Sequence, residues 1–133
     1  MLRNAIFILE CYTLRFTMAK DQLQLEVREA SPGVCVVVLN GALTISTLFA
    51  FQDFTHADKS ESLILDMSQV PYMDSAGMGS IIGAYVSRER EARKLVLAGV
   101  SERVKMVMTV SGVESLFQIY PTAAEAEAAL VKA

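Results

Sequence analysis

Side chains able to do chemistry are sparse in this 133-residue chain, and most of them gather around the stretch "YMDSAGMGS", residues 72 to 80. Asp66 and Asp74 bracket its approach, and Ser75 follows directly. Two carboxylates so placed suit a hard cation, as in phosphoryl-transfer sites on parallel sheets. They equally suit structure, with Asp66 closing an apolar strand and Asp74 accepting from free N–H groups where a helix begins. His56 is the single histidine, with no acidic or cysteine partner at ligand spacing, and reads as a solvated surface residue. Ser75, Asp74 and His56 can be strung into a triad on paper, but the G-x-S-x-G elbow is missing. Neither a G-x-x-x-x-G-K-[ST] loop nor a G-x-G-x-x-G turn is present, and "GMG" at 77 to 79 is a weak fragment of one. The expectation is a protein that is not an enzyme, with no catalytic residue, cofactor or metal of its own.

Ser75 supports two readings. Asp and Ser are favoured N-caps, so either satisfies an orphan donor at the helix start. A phosphate on Ser75 would also face backbone N–H groups and the positive end of the helix dipole, so the fold would tolerate it. Gly77 reads as leaving room for a partner's active site to approach the backbone. Met78, in the first turn beside Ser75, reads as an exposed apolar contact. Local physics leaves cap and switch both open.

The elements that must position these residues follow from periodicity. Leu23, Leu25 and Val27 alternate with polar residues, "SPG" at 31 to 33 is turn chemistry, and Val34 to Leu39 is a continuous apolar run. These make an antiparallel hairpin. A helix is expected from Thr44 to about Ala57, with Ile45, Leu48, Phe49, Phe51 and Phe54 on a wide apolar face and Thr44 or Ser46 as its cap. Ser62 to Met67 is a short apolar strand. Beyond Ser75, Met78, Ile81, Ile82 and Tyr85 keep helical spacing, with "RERE" turned to water. Lys94 to Ala98 is a further strand. Ser101 caps a helix stopped by Gly112, Phe117 to Tyr120 make a short edge strand, and Thr122 with Glu125 forms a capping box for an alanine-rich last helix. Of the methionines Met67, Met73, Met106 and Met108, most are expected to fill core. The fold class is α/β: an initial hairpin followed by βαβ units, giving a mixed, mostly parallel sheet of four to five strands with about four helices. In such sheets sites form beyond the carboxyl ends of the strands, where the loop from Met67 to Ser75 lies.

Composition is that of a globular domain, 53% hydrophobic and 20% charged. A net charge of -3 with scattered Lys and Arg gives no footprint for direct nucleic-acid binding. Cys11 and Cys35 form no metal or redox spacing, and Cys35 reads as a small buried thiol in "VCVVVL". A cytoplasmic protein is expected. Residues 1–20 read as an N-terminal extension and 21–133 as the domain. The run Ala5 to Leu9 is too short to span a bilayer or to make a signal core. Met18 opens a more ordinary start, "MAKDQLQLEV". The leader is either an upstream extension or an added element that covers a sheet edge or packs on a second subunit, so a homodimer stays open.

The block "LILDMSQVPYMDSAGMGSIIGAY" resembles the central signature of STAS domains, in particular bacterial anti-sigma factor antagonists. Asp66, Val70, Asp74, Ser75, Gly77 and Gly79 fall in that pattern; "VVVLNGALT" and "SERVKMVMTVSGVESLFQIYPTAAEAEAAL" resemble its flanks, so the likeness covers roughly residues 22 to 131. It implies that Ser75 is a phosphoacceptor for a partner that is both anti-sigma factor and serine kinase. Unphosphorylated protein would bind that partner and release sigma factor, phosphorylation would end binding, and a PP2C-type phosphatase would restore it. The partner would contact Thr44, Ser46, Met73, Asp74, Ser75, Gly77 and Met78. The kinase would supply ATP and metal. Two positions depart from the pattern: Thr44 stands where Asp is common after the Gly-x-Leu turn, and Ala76 where many relatives carry a second serine. Alternatives are a non-switching STAS scaffold subunit of a stress-signalling or lipid-transport complex, and a small phosphoryl-transfer enzyme.

Overall fold

Alternation in the first strand and unbroken apolar runs in the next ones become a single five-stranded sheet in the computed structural model, which describes residues 23–132. Strand β1 (Gln24–Ser31) pairs antiparallel with β2 (Val34–Asn40) across the expected turn, where Gly33 takes φ 81°. Strands β3 (Ser62–Gln69), β4 (Lys94–Ala98) and β5 (Ile119–Tyr120) then add in parallel, in the order β1-β2-β3-β4-β5.

Helices α1 (Leu48–Ala57), α2 (Ser75–Arg90) and α3 (Glu102–Val110) make the crossovers. Strands added in one direction by crossovers of one hand send every connecting helix to the same face. Accordingly Phe51, Ile81 and Met108 join Leu25, Val37, Leu65 and Leu97 in one core cluster. Helix α4 (Ala123–Lys132) covers the other face, where Ala126 meets Val36, Ile64 and Val96. Strands β2 to β4 are therefore buried on both sides, which is why they read as continuous apolar runs.

Several boundaries differ from expectation for local reasons. Helix α1 starts at Leu48 rather than Thr44, because the Thr44 carbonyl accepts from the amides of Thr47 and Leu48 and closes a turn first. Neither Thr44 nor Ser46 caps it: Thr44 Oγ1 accepts from the Ser46 amide at 3.2 Å, inside that turn. Strand β3 continues past Asp66 to Gln69, since Gln69 still pairs with Asn40. The last strand is only Ile119–Tyr120, preceded by a 3-10 turn at Glu114–Leu116. Ser101 and Thr122 do cap, accepting from Val104 N at 3.2 Å and Glu125 N at 3.1 Å. Met106 is exposed, unlike Met67 and Met108. Arg88 of "RERE" does not face water; it is buried, and its guanidinium donates to Asp58 Oδ2 and the Lys94 carbonyl, each at 3.0 Å. Cys35 is buried as expected, while Cys11 and the 1–20 extension lie outside the described residues. Among the described residues no helix is long and apolar enough to cross a membrane.

Candidate functional site

Two loops meet at the carboxyl end of the sheet, and they are joined by backbone bonds. Val70 is buried and anchors the loop after β3, and Pro71 and Tyr72 then run exposed into Met73. Leu43, from the loop after β2, bridges in parallel to Met73. The Leu43 amide donates to the Tyr72 carbonyl at 3.2 Å, and the Asp74 amide donates to the Leu43 carbonyl at 3.3 Å. The start of α2 is thus fixed from both loops before any side chain contributes.

Asp74 is the N-cap of α2, with extended backbone at φ -99° and ψ -176°. Its Oδ1 accepts from Gly77 N at 2.8 Å, and its Oδ2 accepts from Ile45 N at 3.1 Å. One carboxylate therefore caps its own helix and holds the turn that precedes α1. The Gly77 amide leads in holding the Asp74 carboxyl below its ordinary pKa; partial burial opposes it, and the Ile45 amide adds to it. Asp66 is occupied differently: its Oδ1 accepts from the amide and hydroxyl of Ser68, at 3.1 and 2.8 Å. Among the described residues no three His, Cys, Asp or Glu side chains gather where they could hold a metal ion.

Ser75 is the first residue of α2; it is exposed, and its hydroxyl bonds to none of the described residues. Capping belongs to Asp74, so Ser75 is left free to react. His56 is exposed on the last turn of α1, whereas Ser75 opens α2, and both helices run from the same end of the sheet.

Three residues expected at the contact surface are buried instead. Met73 and Met78 are 3% and 4% exposed and floor the helix start instead of presenting it. Gly77 is buried too, and a methyl group built on it would overlap the Leu43 carbonyl, whose carbon would lie 2.8 Å away. Its glycine serves close packing within the chain, not access for a partner. Thr44 is half-buried and Ser46 exposed, both in the turn tied to Asp74 through Ile45. The sequence reading missed Ile45 and Phe49, which are 60% and 65% exposed beside this site, and Tyr72. The signal was available: five apolar residues from Ile45 to Phe54 spread over more of a helix than one buried face can hold.

The STAS domain family model matches residues 26–126. A curated relative named anti-sigma-B factor antagonist, from Listeria monocytogenes, is 35% identical over 57 residues, 43% of this chain and 50% of the relative. The chain thus spans about half the length of the curated relatives it matches. Among solved structures, an anti-sigma factor antagonist from Mycobacterium paratuberculosis aligns with a TM-score of 0.72 at 23% identity, covering 84% of this chain and 96% of that one. The Bacillus cell fate determinant SpoIIAA in its phosphorylated form aligns with a TM-score of 0.66 at 19% identity, covering 80% and 98%. The sheet order, the loop that presents Ser75 and the extent of the family match agree, and the chain belongs to the STAS domain family.

Proposed function

We propose that this protein is an anti-sigma factor antagonist controlled by phosphorylation of Ser75. Unphosphorylated, it binds an anti-sigma factor that is also a serine kinase, and so frees the sigma factor. The kinase then transfers the γ-phosphoryl group of its own ATP to Ser75 Oγ: the Oγ–P bond forms, ADP leaves, and the hydroxyl proton passes to a base of the kinase. A PP2C-type phosphatase hydrolyses the phosphoserine and restores binding. In this reading the chain has no catalytic residue; Ser75 is a substrate.

The observation that carries the reading is the division of labour between neighbours. Asp74 takes the cap, at 2.8 Å from Gly77 N, and leaves the Ser75 hydroxyl exposed on a rigid helix start. The name of the Listeria monocytogenes relative and the phosphorylated state of the SpoIIAA structure support it. A phosphate at Ser75 adds about two negative charges beside the ionised Asp74 carboxylate. Their desolvation against a partner opposes binding, while the helix N-terminus keeps the fold itself content with them.

Incubation with the cognate kinase and ATP, read by intact mass and site mapping, tests this directly. One phosphate on Ser75 is expected, and none on Ser75→Ala. Ser75→Asp is expected to weaken the kinase complex with an almost unchanged melting temperature. Absence of phosphate on the unmutated chain, or its persistence on Ser75→Ala, overturns the assignment.

A further inference from the structure

Strand β1 begins at the end of the sheet that carries Ser75. Gln24 pairs with Asn40 at the close of β2, and the loop after Asn40 carries Ile45. Residues 1–22 therefore join the fold one strand away from that loop. Of the three crossover helices, α1 joins β2 to β3 and so lies nearest to the entry point in the order β1-β2-β3-β4-β5.

The surface met there is apolar. Ile45 and Phe49 are 60% and 65% exposed. They are four residues apart, and the Thr44 carbonyl, accepting from the Thr47 and Leu48 amides, winds the turn around Ile45 onto α1. Asp53 follows one turn beyond Phe49 and is also exposed, and the chain has no Lys or Arg between Arg28 and Lys59. Met106 and Val110 are exposed as well, but on α3, which joins β4 to β5 at the edge opposite β1.

Residues 1–22 bring a matching segment. Ala5-Ile6-Phe7-Ile8-Leu9 is an unbroken apolar run preceded by the cation of Arg3. The thirteen residues from Glu10 to Gln22 separate it from Leu23. Such a tether reaches up to about 43 Å, against a strand spacing of about 5 Å, so length does not keep the run from Ile45 and Phe49. An apolar run in water and two exposed apolar side chains within its reach both gain from mutual burial, and Arg3 suits the acidic flank at Asp53.

We propose that the run from Ala5 to Leu9 folds back onto Ile45 and Phe49, so that the leader and the anti-sigma kinase compete for one apolar surface. The inference rests on the reading of the protein as a kinase-switched antagonist and adds a second control to it. The kinase must displace the leader, and its apparent affinity is lowered to the fraction of chains in which the surface stands open.

Phe7→Asp and Leu9→Asp, made together in the full chain, put charge into the run and leave the domain untouched. Amide NMR spectra of the unmutated and doubly substituted chains are compared, and each is titrated against the purified cognate anti-sigma kinase. Shift changes are expected to gather at Ile45 to Asp53, with kinase affinity raised about threefold or more. Changes along β1 instead overturn the proposal by giving the leader to the sheet edge, and unchanged spectra overturn it outright. Changes in the unmutated chain that vanish on dilution overturn it by giving the surface to a second copy. Unchanged affinity removes the competition, and lowered affinity makes the leader part of the kinase contact; either overturns it. Phosphate still gained at Ser75 in any of these cases leaves the kinase switch standing. If the unmutated chain neither binds the kinase nor gains phosphate, the switch falls and the competition falls with it.

Discussion

Gly77 of α2 lies directly against the backbone of Leu43, so that an added methyl group would overlap the Leu43 carbonyl. The contact locks the first turn of α2 onto the loop after β2, and backbone cannot swing aside as a flexible side chain can. Gly77→Ala is therefore expected to lower stability by about 2 kcal/mol or more in urea unfolding, despite the better helix propensity of alanine. Gly79→Ala, two residues on, is expected to shift it the other way. A Gly77→Ala loss below about 0.5 kcal/mol contradicts the close approach.

Asp74 joins the same two loops through its carboxylate, accepting from Gly77 N and Ile45 N. Asp74→Ala removes the cap and leaves two amides without their acceptor, a loss of about 1–2 kcal/mol. The pH dependence has a definite sign. The folded-state pKa lies below the ordinary 3.8, so the ionised group adds stability above that value and loses it as pH falls through the folded pKa. Measured from pH 7 to pH 2, the stability gap between the unmutated chain and Asp74→Ala is expected to close in the acid range below 3.8. A gap that stays constant to pH 2 contradicts the role given to the ionised carboxylate.

Arg88 acts at the other end of α2. Its buried guanidinium ties the helix to Asp58 and to the Lys94 carbonyl at the start of β4. Removing one partner of a buried ion pair strands the other, at about 3–5 kcal/mol. Arg88→Ala is expected to fall in that range. Arg88→Lys is expected to recover part of it, because a lysine keeps the charge but cannot reach both acceptors with a planar fork. Equal losses for the two variants by urea unfolding would show that only the charge matters there.

These residues also mark how far a sequence of this kind can be read. Strand runs and the Asp74 cap were legible because each depends on its immediate neighbours: apolar continuity in "VCVVVL", and a short carboxylate just before a helix. The burial of Arg88 was not legible, since its partner Asp58 lies in another loop and "RERE" alone looks like a solvated helix end. Met78 and Gly77 were misread for a related reason. Residue type says that a methionine is apolar and a glycine small, but only the packing of the helix start decides that Met78 is buried and that Gly77 lies against the Leu43 backbone. Ser75 itself stood out only through the resemblance of the surrounding block to STAS domains, because local physics serves a cap and a switch equally well. The structure gives the cap to Asp74 and leaves the Ser75 hydroxyl exposed.

Phe49 and Phe51 stand on nearly opposite faces of α1, one 65% exposed and the other fully buried. Phe51→Ala opens a cavity in the core between sheet and helices, and is expected to lower stability by about 3–5 kcal/mol. Phe49→Ser removes a ring that touches little, and its stability is expected to stay within about 0.5 kcal/mol of the unmutated chain. Binding should reverse that order. An exposed aromatic in the first turn of α1, at the end of the sheet where α2 also begins, has the character of an interface anchor, so Phe49→Ser is expected to weaken the complex with the anti-sigma kinase about tenfold, or about 1.4 kcal/mol. Ile45→Ser is expected to act in the same direction, and the two together more strongly than either. Paired titration and urea unfolding of Phe49→Ser decide the matter: intact stability with undiminished affinity would remove Phe49 from the contact surface.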